Sequence, residues 1–288
     1  MVALRIGNRL PRLSSRAWLF STKFTLQSIG TLERSVRALE GKIAIITGAG
    51  SGVGRATANL FAKNGSAVVV VDLIPDRVNQ VVAEIKASGG NAIGMATDLS
   101  LKTEVDRMVD DALKFFGKVD VLCNNAGIMD GVRPVADTSD EVWEKVMNIN
   151  LNAPFWASRR VIPSMLKQGG GVIINTASVA GLFGGIAGAA YTVSKHALIG
   201  LTQNIAAYYG TKGIRCNAMA LGGVNTAIGL GPGQPNPLGL EHLNKVAAMI
   251  PRMAEPNEIA ELALFLASAR SSYVNGSCIV IDGGWTVF

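Results

Sequence analysis

Tyr191 and Lys195 stand four residues apart in AAYTVSKHAL (189–198), a stretch otherwise made mostly of small or apolar residues. On a helix that spacing stacks the two side chains on one face. A phenol has a reference pKa near 10, too high for an efficient base at neutral pH. An ammonium one turn away favours the phenolate. Bringing the phenol down to about 7 takes roughly 4 kcal/mol. A lysine in a partly dry site, helped by a second cation, can supply that. The pair reads as proton-transfer machinery, against the alternatives of plain core packing or a stray pair on a solvated face.

A second set of residues has the spacing of a phosphate cradle. In TGAGSGVG (47–54), Gly48, Gly52 and Gly54 supply a tight turn, a close backbone approach to a pyrophosphate and close helix packing. The helix that follows offers its unpaired N–H groups to a phosphate. Asp72 closes the next strand, eighteen residues past Gly54. A carboxylate there accepts from both ribose hydroxyls of an adenosine and repels a 2′-phosphate. No basic residue follows it directly, and Ser51 inside the turn is not basic. The expected cofactor is NAD rather than NADP. The competing role for Asp72 is a helix N-cap for the segment starting near Pro75.

These residues need a scaffold, and the chain supplies one. Strand candidates are 42–47, 67–72, 91–97, 119–123, 171–178, 214–220 and 277–282. Amphipathic segments near 54–64, 75–88, 101–116, 139–149, 153–168, 189–210 and 256–268 alternate with them. Most of the strands are continuously apolar, which marks a sheet covered on both faces and hence parallel strands with helical crossovers. The expectation is one α/β domain over 41–288, doubly wound around a seven-stranded parallel sheet with helices on both faces. The stretch 221–250 is rich in Gly and Pro, then helical, and reads as a lid over the substrate.

Residues 1–42 hold eight Lys/Arg against two Glu, whereas 43–288 hold nineteen of each sign. The net charge of +6 therefore belongs to the tail, and the body makes no net-charge case for nucleic acid. No run of 18 apolar residues exists, so no membrane span is expected. Residues 1–30 contain no acid, and Arg5, Arg9, Arg12 and Arg16 follow helical spacing. The segment 1–40 reads as a mitochondrial transit peptide, which points to the matrix. The alternatives are a disordered basic arm, or upstream sequence not normally translated, on a cytoplasmic protein. Cys123, Cys216 and Cys278 are odd in number and show no metal-ligand spacing, so they read as buried reduced thiols in interior strands, with no metal site.

Five motifs in order, TGAGSGVG, NNAG (124–127), Asn150 in MNINL, Ser178 in NTAS and YTVSK (191–195), resemble the short-chain dehydrogenase/reductase family over residues 41–288. The resemblance implies a Rossmann fold and an oxidoreductase that interconverts a secondary alcohol and a ketone by hydride transfer to or from a nicotinamide. It makes Tyr191 the general acid/base and has Lys195 grip the nicotinamide ribose. Ser178 holds the substrate oxygen, and Asn150 positions a water that relays protons from Lys195. Around the cofactor it places Gly48, Ser51, Gly52, Val53, Gly54 and Asp72, then Asp98 and Leu99 near the adenine. Asn125, Ala126 and Gly127 line the adenosine and ribose, and Gly222, Val224 and Thr226 lie near the carboxamide. It further implies a homotetramer or homodimer built on the helices at 101–117 and 153–168 and the helix of Tyr191. Where relatives have Pro-Gly after the sixth strand this chain has Leu221-Gly222. Losing the fixed φ of proline is expected to loosen that end of the cofactor site.

Substrate choice is expected from Ile128, Met129 and Asp130, from 179–190 and from 221–250, where Phe183 and Met249 are the bulky members. Asp130 is the one obvious charge, and no Lys or Arg occupies 221–244. An uncharged alcohol or ketone is expected. His196 points away from Lys195 on the helix, and His242 is expected in solvent. Two alternatives stand beside this reading: an NADPH-dependent 3-oxoacyl reductase, and a non-catalytic dinucleotide-binding scaffold subunit.

Overall fold

β1 (Ile43–Thr47) is buried at every position because it lies inside a sheet with a layer on each side. Successive strand residues point to opposite faces. Ala44 and Ile46 accordingly pack with one core and Ile45 with another. The computed structural model describes residues 37–231 and 233–287. Its strands are β1, β2 (Ala67–Asp72), β3 (Asn91–Ala96), β4 (Val121–Asn124), β5 (Gly171–Ser178), β6 (Ile214–Leu221) and β7 (Cys278–Ile281), all parallel, in the order β3-β2-β1-β4-β5-β6-β7. That is the doubly wound α/β sheet expected from the sequence.

On one face lie α1 (Gly52–Lys63), α2 (Pro75–Ala87) and α8 (Pro256–Ala267), whose Phe61, Val81, Ile85, Ile259 and Leu264 close over Val68 and Val70. On the other lie α3 (Lys102–Phe116), α5 (Ala153–Lys167) and α6 (Ala189–Tyr209), which bring Val105, Met108, Val161, Met165 and Ile205 onto Val69 and Val71. Burying each such side chain contributes about 1.5–3 kcal/mol. Leu39 is already buried in the first core, so the fold takes in residues just ahead of β1. The targeting reading of residues 1–40 otherwise falls outside the described residues.

β1 and β4 are neighbours, and the chain winds away from them in opposite directions. Ligands of such sheets bind outside the carboxyl ends of the strands at this switch point. The glycine turn after β1 and the NNAG run after β4 both emerge there. Between α4 (Asp140–Met147) and α5 the chain makes a π turn, Asn148–Asn152, where the sequence pattern shows a break between two helical segments. π turns of this kind concentrate at functional sites.

β7 corrects one expectation. It is an edge strand, and Cys278 on it is half-buried, whereas Cys123 and Cys216 are buried. Burial pushes the thiols of all three upward, which keeps them protonated and inert. Among the described residues no helix is long and apolar enough to cross a membrane, and no His/Cys/Asp/Glu group could hold a metal ion. The segment 221–250 leaves β6 and forms α7 (Pro237–Ala247), and Val224 pairs with Ala254 at its base. Trp285 Nε1 donates to Val246 O and ties the end of α7 to the C-terminal segment.

Candidate active site

The glycine turn is built by contacts that tolerate no side chain. Gly48 and Gly52 have φ of 62° and 51°. A Cβ on Gly54 would stand 2.1 Å from Gly48 O, so α1 sits directly on the turn. Asn125 Nδ2 donates to Thr47 O and Gly48 O, and the Thr47 hydroxyl accepts from the N–H groups of Asn125 and Ala126. Thr226 lies against Gly52 from the other side. Ser51, the N-cap of α1, makes no side-chain cap bond, and no acid occupies the first turn, which takes in Val53. A cleft of about 680 Å³ opens beside the turn, lined in part by Gly52, Arg55, Asn225 and Thr226. An uncapped helix start at a glycine turn fits a pyrophosphate.

Asp72 is buried at the end of β2. Its Oδ2 accepts from Gly50 N at 3.0 Å and its Oδ1 from Ile74 N at 3.1 Å. The N-cap of α2 is Ile74, so the capping alternative for Asp72 fails. Each oxygen keeps a second lone pair for a ribose hydroxyl. Asp98 Oδ1 accepts from the backbone and hydroxyl of Ser100, and Leu99 is a core residue. Gly222 follows β6, where a Cβ would lie 2.7 Å from Asp282. Leu221 is buried and paired with both Ser178 and Ile281, so β6 runs one residue further than expected.

Tyr191 and Lys195 share the first two turns of α6, and both are buried. Lys195 Nζ lies 5.5 Å from the Tyr191 ring centroid and donates to Thr176 O at 2.7 Å. Ser178, at the end of β5, is near enough to the Tyr191 side chain to favour the phenolate. Even so, burial, aided by the nearby Asp130 carboxylate, pushes Tyr191 up to about 12. Burial also pushes Lys195 down to about 8. The sequence leads one to expect that Lys195 and a second cation together bring the phenol toward neutrality; among the protein's own groups alone, burial is the larger influence. The protein's own groups hold Tyr191 as a neutral phenol.

Asn150 is fully buried in the π turn. Its Oδ1 accepts from Ile128 N, and its Nδ2 donates to Ile128 O and Ser194 Oγ. Its side chain therefore clamps the loop after β4, with both amide protons used and one lone pair of Oδ1 left open. A Cβ on Gly127 would stand 3.3 Å from both Asn150 Oδ1 and Lys195 Nζ, so only glycine leaves that space clear. Asp130, expected to meet substrate, is fully buried and bonded to the N–H groups of Val132 and Tyr191. His242 Nε2 meets Gly185 O at 2.8 Å, joining α7 to the loop between Ser178 and Tyr191. His196 is exposed and bonded to Thr192 O, away from the site.

Sequence reasoning missed Thr47, Thr176, Ser194 and the buried Asn124–Asn175–Thr202 chain of hydrogen bonds that ties β4, β5 and α6 together. The signal was present: asparagines inside otherwise apolar strands need buried partners.

The buried lysine carries a stability cost with a defined pH range. Its folded-state pKa near 8 lies below the unfolded value, so the penalty is complete below about pH 8 and fades as pH rises toward 10.5. Lys195→Met is expected to raise stability at pH 7 by about 1–3 kcal/mol while abolishing turnover. Thermal denaturation at pH 7 and pH 10 checks this, since the gain must shrink at the higher pH.

A glycine-turn nucleotide cradle facing a buried Ser178–Tyr191–Lys195 cluster defines a nicotinamide-dependent oxidoreductase. A family model described as Enoyl-(Acyl carrier protein) reductase matches residues 48–286. A 3beta-hydroxysteroid dehydrogenase 2 of Eggerthella lenta is 40% identical over 251 residues, 87% of this chain and 96% of that protein. A solved structure from Beutenbergia cavernae, assigned as an NAD(P)-dependent gluconate 5-dehydrogenase and holding NADP at low occupancy, superposes with a TM-score of 0.78. It is 37% identical and covers 88% of this chain and 100% of its own. A 7α-hydroxysteroid dehydrogenase bound to NADH and 7-oxo glycochenodeoxycholic acid gives 0.76 at 36% identity, over 86% of this chain and 96% of its own. The chain belongs to the short-chain dehydrogenase/reductase family and is an oxidoreductase acting on alcohol groups.

Proposed function

We propose that the protein is an NAD(H)-dependent dehydrogenase that interconverts an uncharged alicyclic secondary alcohol, of the hydroxysteroid kind, and its ketone, with Tyr191 as the general acid/base. One observation carries the reading: Tyr191, Ser178 and Lys195 meet in a buried place at the carboxyl end of β5. When bound, the dinucleotide supplies the hydride acceptor or donor and, oxidised, a positive ring. Ser178 donates to the substrate oxygen as charge develops on it. Tyr191 gives its proton to that oxygen in reduction and removes it in oxidation. Lys195, anchored by Thr176 O, grips the ribose and favours the phenolate. Burial raises the proton affinity of Tyr191, which favours its role as an acid in ketone reduction, and alcohol oxidation draws on the added positive charge of the oxidised ring. A proton relay at Asn150 has the open lone pair of Oδ1 to hold its water.

Asp72 supports NAD over NADP, although related structures hold either dinucleotide. Wild type is expected to bind NAD at least about tenfold tighter than NADP, with the preference falling toward parity in Asp72→Ala. Fluorescence titration with both dinucleotides reads this, and a wild type that prefers NADP would reverse the assignment. For the substrate, the half-exposed apolar side chains Leu182, Phe183, Ile228 and Met249 on the flanking loops favour a bulky apolar body. The withdrawal of Asp130 into its own bonds leaves that loop without a free charge toward substrate. Turnover of a panel of 3- and 7-hydroxysteroids, cyclohexanols, 3-oxoacyl thioesters and polyols, followed at the nicotinamide absorbance, tests the choice. Preference for a thioester with NADPH would replace this reading with a biosynthetic reductase.

The same reading makes 221–250 a lid, and a homotetramer the assembly. Phe115 on α3 and Phe155 on α5 are exposed apolar residues on the helices such an assembly uses. It keeps the basic 1–40 segment as a matrix-targeting signal, checked by imaging a full-length fusion beside one lacking those residues.

A further inference from the structure

The N-terminus of α6 has no cap of its own, because its N-cap residue is Gly188. The cap comes from elsewhere in the chain. Asp130 Oδ2 accepts from the backbone N–H of Tyr191 at 2.9 Å, while Oδ1 accepts from Val132 N at 3.0 Å. The carboxylate is fully buried. A Cβ on Gly188 would lie 2.4 Å from Oδ2, so glycine is required there to admit the carboxylate. Val132 has φ 49°, the left-handed region that a β-branched residue avoids. Such strain persists only where neighbours over-determine it. Here Asp130 holds its N–H, and α7 presses on it through Gly239, whose Cβ would fall 1.7 Å from Val132 O.

We propose that Asp130 is a positioning residue for the reaction, whose buried carboxylate locks the backbone of Tyr191 to the strained loop that supports α7. Opposite charge at a helix N-terminus is favourable, and a hydrogen bond to a charged acceptor is among the stronger kinds. The same negative charge, held at the backbone of Tyr191, opposes formation of a phenolate. The other charged groups around this point are accounted for. Lys195 comes from α6, and Arg133 adjoins Gly188 through its backbone with its guanidinium donating to Gln234 O. His242 from α7 bonds Gly185 O, and the charged residues of α4 (Asp140, Glu141, Glu144 and Lys145) are exposed. β5 contributes Ser178 and Thr176, which do not titrate.

The inference rests on Tyr191 as the proton carrier, and the test separates the two. Tyrosinate ultraviolet difference titration of wild type against Tyr191→Phe isolates the Tyr191 phenol without any substrate. The same pair is then titrated in the Asp130→Asn background, with circular dichroism establishing the fold at each pH. The Tyr191 midpoint is expected to fall by about one pH unit in Asp130→Asn. Amide hydrogen exchange at the first turn of α6 is expected to quicken at least tenfold. Asp130→Ser, which keeps one acceptor and no charge, replaces the amide variant if the latter does not fold. An unmoved midpoint in a folded variant overturns the proposal, and so does the failure of both variants to fold, which would make Asp130 a folding residue. Retained turnover in Tyr191→Phe would instead sink the reading of the site and leave the Asp130 titration to stand or fall by itself.

Discussion

Replacing Tyr191 by Phe is expected to lower kcat for a secondary alcohol by about 100- to 10,000-fold, the range set by loss of a positioned acid/base. The change removes one oxygen from a buried site. The ring stays, so packing against the surrounding core is kept, and stability should move little. Ser178 keeps its bonds to Ala180 N and Leu221 O. NAD binding should change no more than a few-fold, since the ribose is gripped by Lys195. Steady-state kinetics beside a binding titration separates these effects: a fall in kcat with binding preserved marks a residue used only in the chemical step.

Gly54→Ala should have the second largest effect, through the cofactor rather than the proton. The added methyl would meet Gly48 O at 2.1 Å and Asn125 Nδ2 at 2.6 Å. The first of these is backbone and cannot swing aside. Either α1 lifts from the turn or the turn opens, and both spoil the approach of backbone N–H groups to a pyrophosphate. Dinucleotide affinity is expected to fall at least about 100-fold, with overpacking costing about 1–3 kcal/mol of stability. Titration with NAD and thermal denaturation of the same preparation measure both. Affinity close to wild type would mean that the turn does not hold the pyrophosphate.

Much of this architecture was legible because its determinants are local. The apolar runs of β2 and β5 announce strands with the observed bounds, Ala67–Asp72 and Gly171–Ser178. The glycine spacing announces the turn before α1, and Tyr191 with Lys195 share a helix face because four residues make about one turn. What was not legible depends on contacts between distant segments. Asp130 looked like a free charge near substrate, yet the carboxylate reaches 61 residues along the chain to Tyr191 N. Asn150 reads as a relay by resemblance, and its clamp on Ile128 depends on a π turn that the sequence does not announce. Cys278 read as interior because its run is apolar, and only the strand order shows that β7 is an edge. The opposing effect of burial is hidden for a related reason. Spacing shows that Lys195 neighbours Tyr191, whereas the degree of burial, which outweighs that neighbour, is a property of the assembled core.

The most direct measurement of the central claim is a rapid-mixing record of nicotinamide absorbance. Wild type and Tyr191→Phe, each loaded with NAD, are mixed with the best alcohol of the panel over a range of pH. The account predicts formation of NADH in wild type that quickens as pH rises, and little or none in the variant. Equal rates in the two proteins, or no reduction of NAD by wild type with any secondary alcohol tried, would contradict it.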